Sequence, residues 1–294
     1  MELGRIGTAM VTPFDEQGQI DEGLTHRLVE HLITNGTDSL IINGTTGESP
    51  TVTREEKLQM LRWVKDAAKG RVPIIAGTGS YNTAESIEMT KEAEELGVDG
   101  VMLVVPYYNK PNQPAMYRHF STIAEETDLP ILLYNIPGRS GVNMTAETTI
   151  ALSKVSNIRA VKEASGDIEQ MAMIVEGAAE GFSVYSGDDG MTLPLLSVGG
   201  KGVISVAAHV LGNEMQQMMQ AFERGELATA AQMHRRLLPA FKALFSEPNP
   251  VPLKHVLNRQ AIAVGSVRLP LIPLEADHAS FDSSWDQYMM KIQE

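Results

Sequence analysis

The chain contains no cysteine. No disulfide framework can hold it together, and no thiolate is available as a nucleophile. The absence suits a reducing cytoplasm. No apolar run approaches the ~20 residues of a membrane span. The opening Met-Glu-Leu-Gly-Arg-Ile-Gly-Thr-Ala-Met lacks the basic-then-apolar pattern of a secretory leader. We therefore expect a soluble, cytoplasmic protein with no membrane partner. Positive charge is scarce: 24 Lys and Arg face 37 Asp and Glu, for a net charge of -13. That balance argues against nucleic acid as a partner, since its binding needs a basic face. It leaves anionic small substrates open, because one local Arg or Lys can dominate a pocket.

Several catalytic signatures are also missing. The histidines His26, His31, His119, His209, His234, His255 and His278 form no H-x-H or H-E-x-x-H pair, so a metal-dependent mechanism has no support. There is no G-x-S-x-G nucleophile elbow. Thr12-Pro13-Phe14 after the first apolar run is not a dinucleotide fingerprint, and Gly77-Thr78-Gly79, with Asn82 where a third glycine would stand, reads as a tight turn.

What is present is a rhythm. Short apolar segments recur at Ile6–Val11, Ser39–Ile42, Pro73–Ala76, Gly100–Val105, Pro130–Leu133, Ile158–Val161, Phe182–Tyr185 and Gly202–Val206. Stretches with helical spacing lie between them. Leu58, Leu61, Val64 and Ala68 form one stripe behind a Thr53-Arg54-Glu55-Glu56 capping box. Asn82 with Glu85 starts another helix that Gly97 closes, and Ala115–Glu126 and Ala146–Lys154 continue the pattern. Near-continuous apolar strands alternating with amphipathic helices predict a parallel sheet covered by helices. With 294 residues, eight such units fit a closed (β/α)8 TIM barrel better than an open doubly wound sheet. From Asn213 the rhythm changes to helices over Asn213–Arg224, Leu227–Phe245, Pro252–Ala263 and Glu275–Ile292, with Val267–Leu269 as the one possible strand and the proline-rich Ser246–Pro252 as a stiff connector. We divide the chain into a catalytic barrel over 1–224 and a C-terminal helical segment, 225–294, packed on it.

A barrel carries its reactive groups on the loops after its strands. The sixth strand ends in Lys162, followed by Ser165-Gly166-Asp167 as a turn into a helix, with Asp167 a good cap and Gln170 placed to reach back. Two readings of Lys162 are open. A lysine at a strand end can snorkel to solvent. Among apolar walls its ammonium form would be disfavoured, and a neutral amine attacks a ketone or aldehyde to give a Schiff base. Tyr134, ending the fifth strand, is a core tyrosine or a proton shuttle for such a reaction. Gly44-Thr45-Thr46-Gly47-Glu48-Ser49 is an ordinary turn or a carboxylate cradle of N–H groups and hydroxyls. Arg139 makes a structural ion pair or clamps a substrate carboxylate. Tyr107 and Tyr108 suit packing or an interface. Asp188 and Asp189 cap the next helix. Gly199-Gly200-Lys201-Gly202 precedes a strand and so lies on the opposite, stability face.

Taken together, Gly44–Ser49, Pro106-Tyr107-Tyr108-Asn109, Tyr134-Asn135-Ile136-Pro137-Gly138-Arg139, Val161-Lys162-Glu163-Ala164, Ser186-Gly187-Asp188-Asp189 and Gly202-Val203-Ile204-Ser205 resemble the dihydrodipicolinate synthase family. These are pyruvate-dependent class I aldolases of the N-acetylneuraminate lyase superfamily. The resemblance runs along nearly the whole chain. It implies that Lys162 forms an imine with pyruvate, whose enamine attacks L-aspartate 4-semialdehyde before the product cyclises, in the diaminopimelate route to lysine. It implies no cofactor beyond that covalent imine. Tyr134 would shuttle protons, linked through Thr45 to Tyr108, which would reach in from a neighbouring subunit of a homotetramer. Thr45 and Thr46 would hold the carboxylate of pyruvate, Arg139 that of the semialdehyde, and the carbonyls of Gly187 and Ile204 would line the pocket. A sibling N-acetylneuraminate or 2-keto-3-deoxy sugar acid lyase is the alternative. Gly138-Arg139 argues against it, since such lyases usually lack that pair. A non-catalytic relative would be expected to lose Lys162, Tyr134 or Arg139, and all three are present.

The resemblance also places an inhibitory lysine site near Ser49, Pro50, Arg54, Lys57, Tyr81, Glu85 and Tyr107. Arg54 and Lys57 stand where lysine-sensitive members tend to carry histidines, and Tyr81 where they carry asparagine. Positive charge beside a cationic ligand is unfavourable, so feedback is expected to be weak or absent.

Overall fold

The computed structural model describes residues 2–274 and 278–293. Eight strands close into a barrel in chain order: β1 (Ile6–Ala9), β2 (Ser39–Ile42), β3 (Ile74–Gly77), β4 (Gly100–Val104), β5 (Ile131–Asn135), β6 (Ile158–Glu163), β7 (Ser183–Ser186) and β8 (Gly202–Ser205). Each coincides with one of the apolar runs. Side chains such as Leu40, Ile41, Ile75, Leu103, Leu133 and Val161 are fully buried. A parallel strand covered on both faces has no polar side to alternate with, so its residues read as one apolar run.

The fifth and sixth strands run one residue past their expected ends at Tyr134 and Lys162. The ladder continues through Tyr134 opposite Lys162 and Asn135 opposite Glu163. Polarity at Asn135 and Glu163 marked a strand end to the eye. In the structure both are fully buried and bonded to each other, which lets the ladder proceed.

The strand connections carry α1 (Glu22–Thr34), α2 (Arg54–Ala68), α3 (Thr83–Glu95), α4 (Gln113–Ala124), α5 (Pro137–Ser140), α6 (Ala146–Leu152), α7 (Ile168–Gly177) and α8 (Thr192–Ser197). Thr53 caps α2 with the full reciprocal box to Glu56, Asn82 caps α3, and Gly97 turns the chain after α3 at a φ of 69°. Asp167 caps α7 by accepting from the N–H groups of Glu169 and Gln170. The side chain of Gln170 does not complete a box there. It turns inward and donates to Glu163, while the Asp167 N–H that it would have capped goes to the Ser165 hydroxyl.

Among the described residues four helices follow β8: α9 (Ala208–Glu223), α10 (Leu227–Ala243), α11 (Val251–Arg259) and α12 (His278–Gln293). α9 begins earlier than Asn213, with a kink at Leu211, because its first turn is buried and Ala207 before it offers no side-chain cap to read. α11 ends at Arg259, short of Ala263, and Ala261 just beyond it sits at a φ of 61°. Val267–Leu269 forms no strand; the N–H of Arg268 goes to the Glu48 carboxylate instead of a ladder. The expected start of the last helix over 275–277 lies outside the described residues.

The chain divides into two compact units. One holds the N-terminal residues through Gly7, Asp38–Ile42 and Gly70–Ser205. The other holds Thr8–Thr37, Asn43–Lys69 and the chain from Val206 onward, where α9 packs on α1 and α10, and α10 on α12. No helix among the described residues is long and apolar enough to cross a membrane.

Candidate active site

In the first unit, the β5–β6 register sets Tyr134 and Lys162 side by side near the strand ends. Lys162 is 5% exposed, and its Nζ lies 4.1 Å from the centroid of the Tyr134 ring. Among the described residues Lys162 has no carboxylate partner at ion-pair distance. The snorkelling alternative is thereby set aside: the amine is held inside, beside a phenol. Gly187, the residue after β7, makes room for it. A Cβ built there would stand 3.0 Å from Lys162 Cε and 2.6 Å from Ala164 Cβ. The Gly187 N–H is fixed to the Glu163 carbonyl at 2.8 Å, so the backbone cannot easily retreat.

Arg139 sits on the short α5 after β5, with an exposed side chain and no ion pair among the described residues. Its guanidinium is uncommitted, as a ligand clamp requires and a structural ion pair would not be. Ile204 is buried within β8. Tyr108 follows β4 in the left-handed region at a φ of 67° and is 89% exposed. Such a conformation in a non-glycine residue is costly, and it directs a large aromatic away from the chain's own core. Its neighbour Tyr107 instead packs edge-on against Tyr81 at 5.2 Å, and burial pushes the Tyr107 hydroxyl up from its ordinary range. Of the two aspartates after β7, Asp188 caps a 3-10 turn through the Gly190 N–H. Asp189 is buried and accepts from the Ser205 hydroxyl.

Thr45 and Thr46 stand in the second unit, in the turn after β2. The N–H groups of Gly47, Glu48 and Ser49 close that turn on Gly44 and Thr45 carbonyls. Those of Thr45 and Thr46 have no partner among the described residues, so two donors are available to an anion. The helix that begins at Ser49 is only a 3-10 turn, so the turn lacks the α-helix dipole. Thr46 is buried and its Oγ1 accepts from Asn249 Nδ2 at 3.0 Å. Behind it, Glu48 sits at a φ of 55° and pairs with Lys254 Nζ at 2.7 Å, both side chains 2% exposed. Lys254 also donates to the Ser266 carbonyl and lies over the Phe14 ring, and burial pulls its ammonium down to about 8 against the raising effect of Glu48. Arg268 ties Glu56, Gly18 and Thr51 together. An open cleft of about 850 Å³ in this unit, lined by Phe14, Asp15, Asp21, Arg27, Asn258 and Ser266 among others, holds none of the expected site residues.

Sequence reasoning gave no role to Asn135, Glu163, Asn249 or Lys254. Asn135 and Glu163 follow their apolar runs as ordinary polar strand-end residues, and Asn249 and Lys254 are distant in sequence from the turn they support.

These features define a parallel-barrel enzyme with a buried lysine and tyrosine paired at the ends of adjacent strands. The dihydrodipicolinate synthetase family model matches residues 2–282, and the chain belongs to that family. It is 58% identical to 4-hydroxy-tetrahydrodipicolinate synthase 1 of Halalkalibacterium halodurans, over 94% of each chain. The crystal structure of a dihydrodipicolinate synthase from Bacillus anthracis superposes with a TM-score of 0.95 at 51% identity, covering 99% of this chain and 98% of that one. The lysine-bound enzyme from Cyanidioschyzon merolae also gives 0.95, at 47% identity and the same coverage.

Proposed function

We propose that this chain condenses pyruvate with L-aspartate 4-semialdehyde through an imine on Lys162 and closes the product into a ring, in the diaminopimelate route to lysine. The observation that carries this reading is the Lys162–Tyr134 pair, with the amine buried 4.1 Å from the ring centre. The names of the relatives point the same way.

In this reading the Nζ of Lys162 adds to the keto carbon of pyruvate, and loss of water gives a protonated imine. The imine draws electrons from the adjacent C–H bond, so a methyl proton leaves and an enamine forms without a metal or other cofactor. The enamine carbon bonds to the aldehyde carbon of the semialdehyde, whose oxygen takes a proton. The amino group of the semialdehyde then attacks the imine carbon, closes the ring and releases Lys162 as an amine. Tyr134 carries the protons. Thr45 and Thr46 hold the carboxylate of pyruvate with hydroxyl and N–H donors. The uncommitted guanidinium of Arg139 receives the carboxylate of the semialdehyde, which favours this substrate over a sugar aldehyde. Gly187 and Ile204 contribute carbonyls to the pocket. Tyr108, projecting from its own chain, serves a neighbouring protomer in a homotetramer.

An assay of pyruvate with the semialdehyde and with sugar aldehydes tests the reading. Turnover of the semialdehyde, with borohydride fixing one pyruvyl group at Lys162, is expected. Preference for a sugar aldehyde, or labelling elsewhere, overturns it.

A further inference from the structure

Glu163 follows Lys162 directly, and its side chain is fully buried. Successive residues of a strand point to opposite faces. Asn135 and Glu163 therefore lie behind the sheet face that carries Tyr134 and Lys162. Among the described residues the Glu163 carboxyl is met only by donors. Asn135 Nδ2 lies 3.0 Å from both oxygens, the Ser165 N–H lies 2.9 Å from Oε1, and Gln170 Nε2 lies 3.0 Å from Oε2.

The donor directions are fixed by their other partners. Asn135 Oδ1 accepts from the Met144 N–H at 3.0 Å, so its amide nitrogen must face Glu163. Gln170 Oε1 accepts from Asn143 Nδ2 at 2.8 Å, so its nitrogen must do the same. Asn143 Oδ1 in turn accepts from Asn135 at 2.7 Å and from Gln170 at 3.3 Å. A protonated Glu163 would find no acceptor in this ring. Two side chains, Asn135 of β5 and Gln170 of α7, and the Ser165 N–H thus close around one acceptor, with Asn143 before α6 tying the two amides together and no cation among the described residues. Burial pushes the Glu163 carboxyl up from its ordinary range against the pull of these donors, so placing a carboxyl there is expensive for stability alone, and an apolar core would be simpler.

We propose that Asn135 and Glu163 are positioning residues for the Schiff-base step: their donor-saturated network fixes the register and side-chain directions of Tyr134 and Lys162. The inference rests on Lys162 being the imine-forming residue. A slip of one residue between β5 and β6 would send Lys162 to the wrong face, and the bonded Asn135–Glu163 pair is what opposes that slip at the strand ends.

The test is Glu163→Gln, which keeps the shape but sets an amide N–H₂ against donors, with Gln170→Met as a milder variant that removes one donor. The rate of cyanoborohydride trapping of radiolabelled pyruvate is measured per folded chain, with the folded fraction taken from a thermal melt. Displacement of a reacting group by about 1 Å costs on the order of a hundredfold, so Glu163→Gln should slow trapping at least tenfold. The value of kcat should fall more than KM rises, and Gln170→Met should move the same way to a smaller extent. Trapping at the parent rate per folded chain in both variants, with only the melting temperature lowered, overturns the positioning role. If Glu163→Gln does not fold, Gln170→Met decides. A parent chain that takes no label at Lys162 removes the Schiff-base reading and the positioning role with it. A labelled parent with unaffected variants removes the positioning role alone.

Discussion

Tyr134 and Lys162 face each other across the β5–β6 ladder, with the lysine nitrogen 4.1 Å from the centre of the phenol ring. A phenol so close to the amine is placed to take part in the proton transfers of the proposed reaction. Tyr134→Phe is expected to cut kcat by about 10²- to 10³-fold, within the range for loss of a general acid–base group, while leaving the melting temperature nearly unchanged. Steady-state kinetics on the purified variant measure this, and a loss below tenfold would assign Tyr134 to packing.

Gly187→Ala offers a steric test. The added methyl would press on Lys162 Cε and Ala164 Cβ, at 3.0 Å and 2.6 Å, with the backbone held by the Glu163 carbonyl. Overpacking of this kind costs roughly 1–3 kcal/mol in stability. The larger effect should be on pyruvate trapping at Lys162, read by mass spectrometry after reduction, because the displaced group is the amine proposed to form the imine.

Acid should loosen the protein before its carboxylates titrate. Burial holds both His119 and His209 down to about 4. His209 uses its ring as an acceptor for the Val11 N–H and as a donor to the Val206 carbonyl, a pattern only the neutral ring can satisfy. The unfolded chain takes up these protons first, near pH 6.5, so stability is full above that pH and falls as pH drops towards 4. Each histidine can contribute up to about 3 kcal/mol of this loss, at 1.36 kcal/mol per pH unit. Urea midpoints between pH 7 and 4 should show the slope, and His119→Gln should flatten it.

Breaking the buried Lys254–Glu48 pair should be severe. Lys254→Met leaves a carboxylate 2% exposed without its cation, and such single disruptions cost about 3–5 kcal/mol. Lys254→Met combined with Glu48→Gln should recover part of that loss. Equal destabilisation in the single and double variants, by urea unfolding, would show that Glu48 is not the partner that matters.

Feedback by lysine should be weak. Arg54 and Lys57 both lie on α2, one helical turn apart. They add positive charge where the family resemblance places a cationic inhibitor, and like charges repel. Half-inhibition at submillimolar lysine would contradict this.

The barrel was legible because parallel strands buried on both faces betray themselves as apolar runs, and the caps at Thr53, Asn82 and Asp167 wrote the helix starts into local sequence. Lys162, Tyr134 and Arg139 were legible because each stands just past such a run. The supports were not. Asn249 reaches Thr46 and Lys254 reaches Glu48 across about two hundred residues of chain, and no local pattern encodes such a meeting. Gln170 misled for a related reason: its spacing from Asp167 fits a cap, but a buried carboxylate drew its side chain away.

A ring of strands has no outermost member. Every ladder in this barrel already has both neighbours, so no row of open N–H and C=O groups is offered to a stray segment of another molecule, the usual template for fibrous association. The same closure means that β5 and β6 cannot drift apart to ease crowding at Lys162 without disturbing strands all the way round. Positional accuracy at the amine and resistance to clumping thus come from a single topological fact.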